Sequence, residues 1–360
     1  MTAKSRTNVT ARMPAEWAEH EACLMVWPTR AELWGPAFEA ALGEYAAVAR
    51  AISAFEPVVM IAAPGRAEEA RAACAGAGAG AGATDGHGIE VIELPVDDSW
   101  LRDSGPIFAY DEDGARVGVD FRFNAWGEKH YPWAADDKLA SLLLDRLGTP
   151  RVHSSMILEG GALTVDGEGT LITTEQCLLH PNRNPRMSRT DIEEELGRRL
   201  GIEKVIWLPY GGLEDTETDG HVDGVAAYVA PAKVIVSLPE DPAHPDHARM
   251  RANLAVLEAS TDARGRALEV VTVPQTTYGE VAGTPVEVGY LNFYLANGGC
   301  VVPLGGDTRS GADGAALAAI ASALPGRKVV GVPTPALAYG GGGVHCITQQ
   351  LPTARKGPTA

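Results

Sequence analysis

The chain is short of cysteine, of long apolar runs and of positive charge. Five cysteines, Cys23, Cys74, Cys177, Cys300 and Cys346, are spread over 360 residues, an odd number with no C-x-x-C spacing. This argues against a disulfide framework and a cysteine-rich zinc site, and free thiols in a reducing compartment are the simplest account. Four of the five lie in apolar or Ala/Gly surroundings and read as packing residues; Cys346 is the exception. No run approaches the roughly 18 apolar residues of a membrane span. Residues 1–13 lack the apolar core of a signal peptide. A cytoplasmic protein without a membrane partner is expected. Lys and Arg number 30 against 47 Asp and Glu, for a net charge of −17. Nucleic-acid binding through a basic surface is therefore not expected, whereas small cations are attracted.

What is present concentrates near the C-terminus, in Tyr339 followed by Gly340–Gly343, Val344, His345 and Cys346. Consecutive glycines are entropically costly in ordered structure and make sense where backbone must approach something closely. A thiol beside an imidazole follows them, and a thiolate is a strong nucleophile. One reading has Cys346 attacking a substrate seated on the glycine run. The other is a glycine turn before a buried structural cysteine.

Apolar periodicity predicts helices beginning near residues 66, 134, 188, 246 and 312, with strands between them. Another helix is predicted over 37–55. Strands are predicted at 22–27, 58–62, 89–94, 106–110, 116–123, 205–208, 233–238, 268–273, 288–295, 299–304 and 328–332. A strand is also expected to run to Leu179 and another from His221 to Val229. Thr190 and Glu193 are placed for a capping box on the helix near 188–200. Residues 75–88 are low in complexity and read as a surface loop. Strands plus one helix thus recur roughly every 60 residues, a period suited to repeated modules. Five such modules in a ring would bury a shared core and leave a central channel.

Each module carries one polar cluster. These are Trp100-Leu-Arg-Asp103, Glu159-Gly-Gly, Glu217-Thr-Asp-Gly-His221-Val-Asp223, Tyr290-Leu-Asn292 and His345-Cys346. In a radial arrangement all five face one axis. On a strand His221 and Asp223 would share a face. A metal reading of that pair lacks a third and fourth ligand at suitable spacing. For Asp103 the alternatives are an ion pair with Arg102 or a cap. Asp103, Glu159, Glu217 and Asp223 around one Cys and one His would repel one another unless a cation joins them. Paired carboxylates suit a planar guanidinium. Cys346 would add to its carbon, and His221 would protonate the departing nitrogen and then activate water. Glu159 would orient His221.

Several ordered motifs carry a family resemblance. They include Asp98-Ser-Trp-Leu-Arg-Asp103, Phe123-Asn-Ala-Trp-Gly-Glu-Lys129, Glu159-Gly-Gly161, Asn182-Arg-Asn-Pro185, Thr218-Asp-Gly-His221-Val-Asp223, Asn292-Phe-Tyr294 and Gly341-Gly-Gly-Val-His-Cys346. From about residue 13 to 352 the chain resembles the agmatine deiminases, which belong with the bacterial-type peptidyl-arginine deiminases in the guanidine-modifying pentein superfamily. The resemblance implies an α/β fold, a five-bladed pseudo-symmetric propeller. It implies a single catalytic domain over 1–360, with 1–12 and 353–360 as flexible ends. It further implies Cys346 as nucleophile, His221 as general acid/base, Asp103 and Asp223 on the guanidinium, and Glu159 behind His221. Trp100 would pack along the aliphatic chain and Glu217 would meet the far amine, with Thr218, Asn292 and Gly343 also on the substrate side. No cofactor and no metal are implied. The partner is a small cationic guanidine, agmatine, and a homo-oligomer is left open. Gly224 stands where the family usually has Asn, and Gly289 where Ser is common, which bears on substrate identity. Rival readings are a deiminase of free or peptide-linked arginine, with Arg122 as the one nearby base for its carboxylate, an amidinotransferase, and a non-catalytic pentein that binds cations.

Overall fold

The computed structural model describes residues 11–75, 86–306 and 311–354. Most of the low-complexity stretch 75–88 and most of the two expected flexible ends lie outside them. The described residues of those ends are held in place. Arg12 exchanges backbone hydrogen bonds with Tyr110 at 2.7 and 2.9 Å, and the Tyr110 hydroxyl donates to the Thr353 carbonyl at 2.8 Å. The chain divides into two compact units, one drawn from Met1–Ala18, Asp103–Val273 and Pro352–Ala360, the other from Glu19–Arg102 and Pro274–Leu351.

The first unit uses one construction three times. An antiparallel strand pair leads through a helix to a third strand lying parallel to the second. The strands Ile107–Tyr110, Arg116–Arg122 and Arg151–Ile157 use the helix Asp136–Leu147. Thr164–Val165, Thr170–Thr174 and Lys204–Leu208 use Arg189–Leu200. Ala226–Ala230, Lys233–Ser237 and Glu269–Val273 use His247–Glu258. The periodicities explain the elements. Along Arg151–Ile157 the inward positions are Val152, Ser154 and Met156, one in two. Asp136–Leu147 buries Leu139, Ala140, Leu143 and Leu144, a helical stripe.

In the second unit Tyr294–Ala296, Gly299–Leu304 and Lys328–Pro333 repeat the construction with the helix Ala312–Ala323. A four-stranded sheet runs Thr348–Pro352, His20–Val26, Val58–Ala62, Ile89–Glu93, with helices Phe38–Ser53 and Ala67–Ala75 on its parallel crossovers. His20–Val26 is buried at six of seven positions, as a strand covered on both faces should be.

Several expectations need correction. The strand expected to reach Leu179 stops at Thr174, whose hydroxyl accepts from the Cys177 N–H and starts the short helix Glu175–Leu178. The capping box is formed by Ser188 and Asp191, each two residues before the expected Thr190 and Glu193. The expected strand 288–295 is two strands, Thr284–Gly289 and Tyr294–Ala296, the first in a hairpin with Thr276–Val281. Most important, His221 and Asp223 precede the strand Ala226–Ala230, His221 in irregular backbone and Asp223 on a turn. Among the described residues no helix is long and apolar enough to cross a membrane.

Candidate active site

In the first unit, three polar side chains converge on the α-carbon of Gly161. A Cβ placed there would stand 2.5 Å from His221 Nδ1, 3.0 Å from Asp103 Oδ1 and 3.1 Å from Asp223 Oδ2. Only hydrogen fits. Asp103 is fixed by two donors: its Oδ1 accepts from the Gly161 N–H and its Oδ2 from the Trp126 indole N–H, both at 2.9 Å. His221 Nδ1 lies 3.9 Å from Asp103 Oδ1, and His221 Nε2 lies 4.0 Å from Glu159 Oε2. Asp103, Glu159, His221 and Asp223 are all buried.

The backbone that delivers these groups is bent. Ala125, Trp126, Gly127 and Glu128 all have positive φ, and this is what aims the Trp126 indole at Asp103. Gly127 is required there, since a Cβ would lie 2.1 Å from Asn182 Nδ2. Ahead of His221, Asp219 and Gly220 also have positive φ. The His221 N–H is received by Asp215 Oδ2 and Thr218 Oγ1, each at 3.1 Å. Thr218 also donates its hydroxyl to Asp215. It therefore holds the turn that presents His221, where the sequence placed it on the substrate.

Arg183 lies in the Asn182-Arg-Asn-Pro185 motif, where nothing local marks a role for it. Its guanidinium is buried, with Nε donating to Glu159 Oε1 at 2.6 Å and Nη1 to Asp219 Oδ2 at 2.7 Å. Burial opposes its charge, but Glu159 and its other neighbours hold its pKa above the ordinary value. Asp219 also receives Asn182 and Lys129 at 2.9 and 2.8 Å. Burial pushes the Asp219 pKa up, and these donors outweigh it to bring it down to about 2.

Cys177 is a second omission and a correction. Read as a packing residue, it lies in the cluster: its sulfur, a Glu159 oxygen and a His221 nitrogen are all within 4.8 Å of one another. Burial raises the thiol pKa, and the neighbouring imidazole lowers it. For His221 burial favours the neutral ring, yet Asp103, Cys177 and Asp223 keep its pKa well above the usual histidine value. Asp103 is raised by burial, lowered by His221 and raised again by Asp223 and Glu159.

Glu217 departs from expectation. It is exposed, so it does not join the three buried acids, and its Oε2 lies 2.9 Å from His130 Nε2. Arg122, the base considered for an arginine carboxylate, donates its Nε to Asp137 at 2.8 Å instead.

In the second unit Cys346 is buried, 9% exposed. Asn292 Nδ2 is 3.1 Å from its sulfur, and Asn292 Oδ1 accepts from the backbone N–H groups of His345 and Cys346 at 2.9 and 3.2 Å. Each glycine of the run has a separate reason. Cβ atoms at Gly340, Gly342 and Gly343 would stand 2.2 Å from the Trp34 ring, 2.4 Å from the Trp100 ring and 2.6 Å from Asn292 Oδ1. Gly341 has φ 99°. Trp100 is buried and stacked on Trp34, with ring centroids 5.4 Å apart. Arg102 donates to Gln349 Oε1 and Gln350 Oε1, each at 2.8 Å, and to the His345 carbonyl at 3.3 Å, bracing the cysteine segment from behind.

Residues 12–352 match the Porphyromonas-type peptidyl-arginine deiminase family. Among curated relatives, an agmatine deiminase of Pseudomonas aeruginosa is 42% identical over 368 residues, covering 96% of each chain. One of Stutzerimonas stutzeri is 41% identical over 363 residues, covering 94% of this chain and 95% of its own. Among solved structures, the agmatine deiminase of Enterococcus faecalis superposes with a TM-score of 0.86 at 33% identity, over 95% of this chain and 96% of that one. A substrate-bound C. jejuni agmatine deiminase gives 0.82 at 25% identity, over 96% and 97%.

Proposed function

The chain belongs to the Porphyromonas-type peptidyl-arginine deiminase family, and from that premise we propose that it hydrolyses agmatine to N-carbamoylputrescine and ammonia. The relatives named agmatine deiminase, similar over nearly the whole chain, support this substrate. One observation carries the chemistry: Asp103, His221 and Asp223 crowd around Gly161 in a buried, acid-rich cluster. Such a cluster favours a cation that can offer paired donors, as a guanidinium does.

In the reaction, Asp103 and Asp223 hold the guanidinium. The Cys346 thiolate adds to its carbon, and His221 gives a proton to one nitrogen, which leaves as ammonia. An amidino-thioether remains on Cys346. His221 then takes a proton from water, the hydroxide adds to the same carbon, and the carbon–sulfur bond breaks to return the thiol and release the carbamoyl product. Glu159, anchored by Arg183, orients His221. Asn292 steadies the sulfur, Gly343 leaves room for Asn292, and Trp100 lies along the substrate's methylene chain. Glu217, exposed beside His130, receives the far amine. The chain acts as a single catalytic domain, and the repeated strand–helix construction supports the reading of a five-bladed α/β propeller.

A free arginine would bring a carboxylate to the same acids. With Arg122 already on Asp137, that anion costs several kcal/mol to bury unpaired. The covalent route is tested by quenching turnover and mapping peptides by mass. The amidino group belongs on Cys346; product formed with no adduct on any cysteine would contradict the route.

A further inference from the structure

We propose that Glu159, Cys177 and His221 form a site for a soft divalent cation such as zinc, and that its occupancy switches the enzyme off. The three donors are a thiol, an imidazole and a carboxylate, each buried, with one ligand atom apiece inside a 4.8 Å spread. Two of those groups have an atom to spare. Glu159 Oε2 and His221 Nε2 are buried and make no hydrogen bond to a described residue, and they stand 4.0 Å apart. Arg183 occupies only the other oxygen of Glu159, Oε1.

This donor set suits zinc. A tetrahedral ion with a bond of about 2.3 Å to sulfur and about 2.0–2.2 Å to nitrogen and oxygen brings its ligands to roughly 3.3–3.7 Å from one another. Small side-chain rotations close the observed spacing to that range. Sulfur and imidazole select zinc or a similar ion over magnesium or calcium. On binding, the metal–sulfur bond forms as the Cys177 proton passes to solvent. Cys177 is separate from Cys346, so the site does not consume the nucleophile. It consumes His221: a ring nitrogen held by metal fixes the tautomer and position of the group that must carry protons.

The test begins with the full chain, stripped by chelator, as the Cys346→Ala variant. Cobalt(II) is added as the spectroscopic stand-in for zinc, and thiolate-to-cobalt charge-transfer absorption is recorded. The expected result is a band saturating at one equivalent, abolished when Cys177→Ser or Cys177→Ala is added. His221→Ala in the same background should weaken the ion by at least ~100-fold, since it removes a ligand outright. Far-UV circular dichroism and melting curves identify any variant that fails to fold, and the His221→Ala arm then decides. No band in Cys346→Ala, or a band that survives loss of Cys177, would overturn the proposal. The binding arm needs no turnover, so it stands or falls apart from the agmatine reading. In the unsubstituted enzyme zinc should abolish ammonia release and chelator restore it; bound zinc with unchanged turnover would overturn the switch.

Discussion

Gly161 brings Asp103, His221 and Asp223 to one α-carbon, and the space holds nothing larger than hydrogen. Gly161→Ala should therefore cost about 1–3 kcal/mol of stability, as overpacking does, and lower kcat by about 100-fold, the size of effect a misplacement near 1 Å produces. Unchanged kcat would mean that the three heads do not act together. Gly224 makes the opposite prediction. A Cβ there meets nothing within 4 Å, and the same holds at Gly289. Gly224→Asn should fold with unaltered stability, and any effect should appear as a modest change in KM read from initial rates. At this scale the sequence was partly legible. Asp103, Glu159, His221 and Asp223 stood out because acids beside an imidazole signal chemistry wherever they lie. Cys177 and Arg183 did not, because their roles depend on neighbours distant in sequence: Cys177 sits among Leu and Gln in a segment that reads as packing. Glu217 was grouped with the clustered acids for the converse reason, since an acid next to the right motif carries no mark of being exposed.

The segment from Pro335 to Cys346 is built to hold Cys346, the proposed nucleophile. Its glycines make way for Trp34, Trp100 and Asn292 and take one positive φ, so the run seats side chains as well as bending backbone. Gly342→Ala would press a methyl onto Trp100 and Cys346, and overpacking of this kind costs about 1–3 kcal/mol. Urea unfolding measures it, and an unshifted midpoint would contradict the packing account. The helix Pro335–Tyr339 that feeds the run is capped by Glu44, whose two oxygens accept from the N–H groups of Ala336 and Leu337 at 2.9 and 2.8 Å. Burial raises the Glu44 pKa from 4.5 to about 7, with those N–H groups pulling the other way. A folded-state pKa above the unfolded one contributes stability that is complete below about 4.5 and is lost as pH climbs through about 7. Stability should thus fall by a few kcal/mol at most across that window, and Glu44→Gln should flatten the slope; melting curves against pH decide. At element scale helices were read best, because a 3.6-residue apolar stripe is unambiguous over twelve residues. His221-Val-Asp223 was misread as strand because its polar–apolar–polar alternation copies the strand period, while the turn depends on Asp219 and Gly220 taking positive φ. The segment 288–295 failed similarly, since a continuous apolar reading hides the break at Tyr290–Phe293.

Across the molecule, the recurrence of helices about every 60 residues matched the strand–helix–strand constructions found in both units. The period was legible because each of these constructions buries its own helix face locally, and local burial leaves a periodic trace. The division into two compact units left no such trace, as both are assembled from segments far apart in the chain. The central proposal is that Cys346 serves as nucleophile and His221 as proton carrier on agmatine. It is tested most directly by ammonia release from purified protein given agmatine and arginine in parallel, with Cys346→Ala beside the unsubstituted chain. The account predicts release from agmatine, little from arginine, and none from the variant. Release from arginine in preference to agmatine, or release that survives Cys346→Ala, would contradict it.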